Sequence, residues 1–147
     1  MFQADFNPER SWSSGKPDMH NPSRPLSPHL TIWRWGPHML VSILHRVTGS
    51  GLSIVGAIAL VWWLVAAATS PAAYASFTDM ADDWYGVVIG VGLSWALFQH
   101  TLSGIRHLIM DIGAGYELST NKFWANMTMI GSVILTAALW IFVLGVK

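Results

Sequence analysis

Residues His100–Asp111, HTLSGIRHLIMD, place two imidazoles, a guanidinium and a carboxylate at the end of a long apolar run. Ionisable groups in such a segment are costly, generally face a protein interior, and point to function. At about 100° per residue on a helix, His100, Gly104, His107 and Asp111 fall within roughly 60° of one another. A neutral imidazole is a ligand for haem iron, and burial keeps it neutral. Gly104, one turn from His100 on the same face, leaves room for a flat macrocycle to approach the backbone. The residues leave a second reading open, in which His100 bonds a neighbouring helix and Gly104 is a close-packing residue. His107, about two turns further on, reads as interfacial and solvated. Arg106 points to another side, where it can snorkel to headgroups or meet a haem propionate.

A second constellation lies earlier, in Ser42–Gly49, SILHRVTG. Ser42, Arg46, Gly49, Ser53 and Gly56 form one narrow helical stripe of polar and small residues, with His45 on its shoulder. Close helix approach accounts for Gly49, Ser53 and Gly56. It does not account for Arg46, whose guanidinium suits carboxylates such as haem propionates. The alternative is that Arg46 only anchors the helix end to the membrane surface. Ser42 offers a hydroxyl to a quinone carbonyl.

The elements that must position these groups follow from the apolar runs. The chain has 147 residues, 52% hydrophobic and only 11% charged, which departs from a soluble domain. Val47–Thr69 and Phe123–Val146 carry no charge, and Trp84–Phe98 continues past His100 to Ile105. Each is long enough to cross a hydrocarbon core, which needs about 20 residues of helix. The expected fold is all-α, three transmembrane helices in one bundle. Pro37 can occupy the first turn of the first helix, where its missing N–H costs little. Residues 38–147 then form the membrane domain. Residues 1–37 form a polar arm followed by a proline-interrupted segment at the membrane surface. Ser70–Asp83 and the stretch carrying Arg106 and Lys122 read as connecting loops. Gly86 and Gly90 read as packing residues, and the third helix carries no assigned chemistry.

Charge is balanced overall but not evenly placed. Arg10, Lys16, Arg24, Arg34 and Arg46 precede or open the first helix, whereas Ser70–Asp83 contains Asp79, Asp82 and Asp83 and no base. The positive-inside rule puts the N-terminus and second loop inside, with the first loop and C-terminus outside. Trp33, Trp35, Trp84 and Trp124 fall near helix ends, as interfacial anchors do. His100, roughly 24 Å along its helix, then sits in the inner half of the membrane, as do Ser42 and Arg46. Antiparallel neighbours would bring both constellations to one site. The chain has no cysteine, which excludes disulfides, cysteine-ligated iron–sulfur clusters and covalent c-type haem within it. No secretory signal or acidic-poor transit peptide is expected in the first 36 or so residues.

Three segments in order, RPLSPHLTI at Arg24–Ile32, SILHRVTG and HTLSGIRHLIMD, resemble the cytochrome b subunits of succinate dehydrogenases. The first element is similar to the mitochondrial-type branch, found in bacterial and mitochondrial inner membranes. The resemblance implies a four-chain assembly of a flavoprotein, an iron–sulfur protein, this chain and a second hydrophobic anchor. It implies a haem b bridging the two anchors, with His100 as one axial ligand and the other from the second anchor. It further implies propionate contacts by His45 and Arg46, and a ubiquinone site using Ser42 and Arg46. Arg106 stays a candidate propionate contact. Catalysis belongs to the assembly, the partners are lipid and quinone, and no nucleic acid is expected. Two other readings stand beside it: a b-type cytochrome with both ligands in the chain, His45 and His100, and a haem-free structural anchor.

Overall fold

The computed structural model describes residues 35–146, so the basic arm, Trp33 and the RPLSPHLTI segment lie outside the described residues. The described residues form helices and no strand. Helix α1 (Pro37–Gly51) passes through one π-helical turn, Leu52–Gly56, into α2 (Ala57–Thr69). Helix α3 (Pro71–Asp82) follows, then α4 (Trp84–Asp111) and α5 (Leu118–Val146). Three stretches are long and apolar enough to cross a membrane: Pro37–Thr69, Trp84–Asp111 and Leu118–Val146. Each is one of the three expected spans, lengthened at its polar end because a helix satisfies its own backbone whatever its side chains.

Local chemistry sets the boundaries. Pro37 occupies the first turn of α1, where no backbone donor is lost. Ser70 caps α3, its hydroxyl accepting the Ala73 N–H at 3.1 Å, and Pro71 again opens the helix. Ser70–Asp83 is therefore a capped helix rather than the expected loop; Ser-Pro before an alanine-rich run is a start signal. At the end of α4, Gly113 takes φ 87°. Its N–H donates to Met110 O at 2.8 Å and Ala114 N–H donates to Ile109 O at 3.3 Å, a Schellman closure that needs the left-handed residue glycine supplies. The turn is so short that Arg106 and Lys122, expected in a loop, both lie within helices.

The long helices alternate in direction. Gly49 approaches His100, while Gly56, further along the first span, approaches Leu93, earlier in α4; the pairing descends, so α1 and α4 are antiparallel. Between α4 and α5 the pairs Arg106–Asn121, Gln99–Ser132 and Ser94–Trp140 descend likewise. Small and polar residues fill these contacts: Ala125, Thr128, Ser132 and Thr136 form the buried stripe of α5. This is how membrane helices approach without a hydrophobic force between them. The buried apolar side chains are Val41, Ala66 and Ala125 alone among the described residues.

Candidate functional site

His45 is the hub of the α1–α4 contact. Its ring stacks on that of His100 with centroids 4.1 Å apart and planes 5° from parallel. On its other side His107 lies 5.1 Å away, tilted by 58°. The stripe His100, Gly104, His107 therefore faces α1, as its spacing on α4 requires. His107 is half-buried beside His45. Asp111, the last member of the stripe, is exposed.

Hydrogen bonds fix both imidazoles. His100 Nδ1 lies 3.1 Å from the His45 carbonyl oxygen, which can only accept, so Nδ1 carries the proton and donates. Thr48 Oγ1, 3.4 Å from the same nitrogen, donates its own hydrogen to Leu44 O at 2.7 Å. Its lone pair thus also faces the Nδ1–H. Nε2 of His100 consequently keeps its lone pair. His45 Nδ1 lies 2.8 Å from Ser103 Oγ, whose hydroxyl donates to Gln99 O at 2.7 Å, so His45 too is a donor at Nδ1. Holding one ring nitrogen on a backbone carbonyl sets tautomer and orientation and raises the basicity of the other.

Two glycines make room for the rings, reciprocally. A Cβ on Gly49 would stand 2.8 Å from His100 Cε1, and one on Gly104 would stand 3.5 Å from His45 Cε1. The clearance expected at Gly104 for a macrocycle is thus taken up by an imidazole. Gly49, read from sequence as packing, is the glycine that seats His100.

An open groove of about 530 Å³ runs beside the ring pair, lined by His45, Arg46, Gly49, Ser50, Ser53 and His100 among others. It joins the two constellations, and Arg46 is exposed along it. Ser42 is half-buried one turn before Arg46 on α1, outside the groove lining. Gly56 leaves the stripe and packs against Leu93, because the π turn inserts an extra residue and breaks the 100° phase. Gly86 and Gly90 do serve packing: a Cβ on Gly86 would strike the Met80 carbonyl of α3, and one on Gly90 the Trp140 ring at 2.9 Å.

Arg106 is elsewhere. It lies about 120° round α4 from His100, and is 7% exposed. Its Nη2 donates to Asn121 Oδ1 of α5. Helix α5, which begins at Leu118, covers it. Arg106 does not line the His100 groove.

The donor set fits a haem: an imidazole with its Nδ1 donated and its Nε2 unprotonated, a groove, and a guanidinium on the same groove. It does not fit two axial ligands from this chain. The rings of His45 and His100 are stacked in contact and leave no space for a flat group between them. Among the described residues there is no cluster of three histidine or acidic side chains that could hold a bare metal ion.

Comparison with known proteins is consistent with this reading. A family model described as "Succinate dehydrogenase/Fumarate reductase transmembrane subunit" matches residues 20–139. The chain is 41% identical over 118 residues to the succinate dehydrogenase cytochrome b556 subunit of Paracoccus denitrificans, covering 80% of this chain and 90% of that protein. It is 36% identical over 126 residues to the protein of the same name from Rickettsia conorii, covering 86% and 97%. It is 32% identical over 139 residues to the mitochondrial succinate dehydrogenase cytochrome b560 subunit of Sus scrofa, covering 86% and 70%.

Proposed function

The chain belongs to the transmembrane-subunit family of succinate dehydrogenases and fumarate reductases, and from that premise we propose that it carries half of a haem b site and part of a ubiquinone site. The relatives' names carry the haem, as cytochrome b subunits. The observation that carries the residue assignment is the His100 Nδ1–H bond to His45 O at 3.1 Å, which keeps Nε2 free on the groove shared with Arg46. His100 would then hold the haem iron from this chain, and the other hydrophobic anchor would supply the second ligand. When bound, haem b supplies a one-electron redox centre within the membrane.

The chain's own residues hold and orient. The His45 carbonyl and Thr48 hold the His100 ring; Ser103 holds that of His45. The Arg46 guanidinium would neutralise propionates, with His45 as a neighbouring contact. Ser42 and Arg46, one turn apart, donate hydrogen bonds to a quinone carbonyl. Arg106, buried against α5, takes no part. The flavoprotein and iron–sulfur partners dock on the side where α1 begins, which the basic arm before residue 35 puts inside. The membrane is a bacterial or mitochondrial inner membrane, and the chain alone oxidises no succinate.

The test is made on the assembled complex. His100→Ala abolishes or shifts the reduced-minus-oxidised haem b spectrum. Ser42→Ala and Arg46→Ala mainly impair quinone reduction, by about tenfold, the cost of one hydrogen bond to a reacting carbonyl, and Ser42→Ala leaves the haem spectrum in place. Normal spectra and normal turnover in all three variants would refute the assignment. Absence of haem b from the wild-type assembly by pyridine haemochrome would make the chain a haem-free anchor.

A further inference from the structure

We propose that the cleft between α4 and α5 is a binding site for the phosphate of an anionic phospholipid, with Arg106 as its charge receptor. The cleft has a volume of about 320 Å³, the size of a small ligand pocket. Its walls are mostly apolar, with Leu102, Ile105, Ile109, Trp124 and Met127; Arg106, Asn121, Thr120 and Thr128 are its polar side chains. The guanidinium is 7% exposed. Only its Nη2 is satisfied, by Asn121, while Nε and Nη1 are buried without a partner. Among the described residues no carboxylate forms an ion pair with it.

A buried cation with two orphaned N–H groups is too costly to stand alone in a membrane. Each edge of the guanidinium, Nε with Nη2 and Nη1 with Nη2, keeps one unpartnered nitrogen, from which a phosphate oxygen can take a charge-assisted hydrogen bond. Asn121 holds the guanidinium at Nη2 and so orients it. The remaining cleft is mostly apolar, which suits an acyl chain and not a hydrated free ion. Position agrees with this. Arg106 is near the end of α4 and Asn121 near the start of α5, so this pair lies toward one membrane surface and Leu102 and Met127 lie deeper. The cleft faces away from the His100 groove, so the site is independent of the haem and quinone reading.

The experiment uses the assembled complex, purified in mild detergent, stripped of lipid, and titrated with phosphatidylglycerol, phosphatidylcholine or inorganic phosphate. Bound lipid is counted by native mass spectrometry. The wild type retains phosphatidylglycerol over phosphatidylcholine, and inorganic phosphate at equal concentration does not displace it. Arg106→Gln, which can still reach Asn121, loses that preference by roughly tenfold. Ala114→Phe at the exposed cleft mouth keeps the guanidinium and lowers retention of both lipids, so the proposal stays testable if Arg106→Gln does not assemble. Unchanged phosphatidylglycerol binding in either assembled variant overturns it. So does equal competition by inorganic phosphate. Release of another subunit from Arg106→Gln with lipid binding unchanged also overturns it, and assigns the guanidinium to a protein carboxylate.

Discussion

Gly49 and Gly104 are both helical glycines facing a histidine ring, yet their substitutions should differ. A methyl on Gly49 would stand 2.8 Å from His100 Cε1, and the ring cannot swing away without breaking its bond to His45 O. Gly49→Ala is expected to shift the haem b spectrum and to cost the assembly about 1–3 kcal/mol, the range for overpacking. A methyl on Gly104 meets His45 at 3.5 Å, ordinary contact, and alanine gains up to about 1 kcal/mol of helix propensity. Gly104→Ala should therefore leave the spectrum unchanged and the thermal midpoint equal or higher. Spectra and melting curves of the two variants side by side check the pair. Sequence alone gave the clearance role to Gly104 and packing to Gly49, because spacing along one helix says nothing of what the other helix presents.

At the scale of elements, α3 and the π turn are the features that spacing did not disclose. Helix α2 packs on α3 and the π turn, and among the described residues it makes no close backbone approach to α4 or α5. Trp62 meets Phe77 edge-on at 5.0 Å. Helix α3 in turn lies on the start of α4, where a Cβ on Gly86 would come within 2.7 Å of Ala81 Cα. Backbone cannot yield as a side-chain tip does. Gly86→Ala is expected to displace α3 and cost about 1–3 kcal/mol, more than the helix propensity it gains. The readout is a lower thermal midpoint with the haem spectrum unchanged, since His100 lies four turns away. A midpoint equal to the wild type would show that α3 does not hold this position. The stripe Ala125, Thr128, Ser132, Thr136 on α5 was legible as small residues three and four apart. Its one cross-helix partner, Gln99, to which Ser132 donates at 2.8 Å, was not.

At the scale of the molecule, the proposed haem site leaves its second ligand to another chain. Large apolar side chains such as Ile58, Val88 and Ile141 stand 65%, 62% and 74% exposed, as lipid or a second membrane chain would require. The His100 groove is likewise open on one side. Expressed without other subunits, the chain is expected to show no stable bis-histidine haem in a reduced-minus-oxidised spectrum, because His45 is stacked on His100 and cannot ligate the opposite face. A full haem b spectrum from the chain alone would contradict this. Sequence by itself determined the three spans and the family. Both follow from properties carried along the chain: apolar length and motif order. Only the tertiary structure decided which imidazole nitrogen is free, which glycine seats which ring, and that Arg106 faces α5. Those depend on the rotation and register of one helix against another, set by side chains more than 50 residues apart in sequence, such as His45 and Ser103.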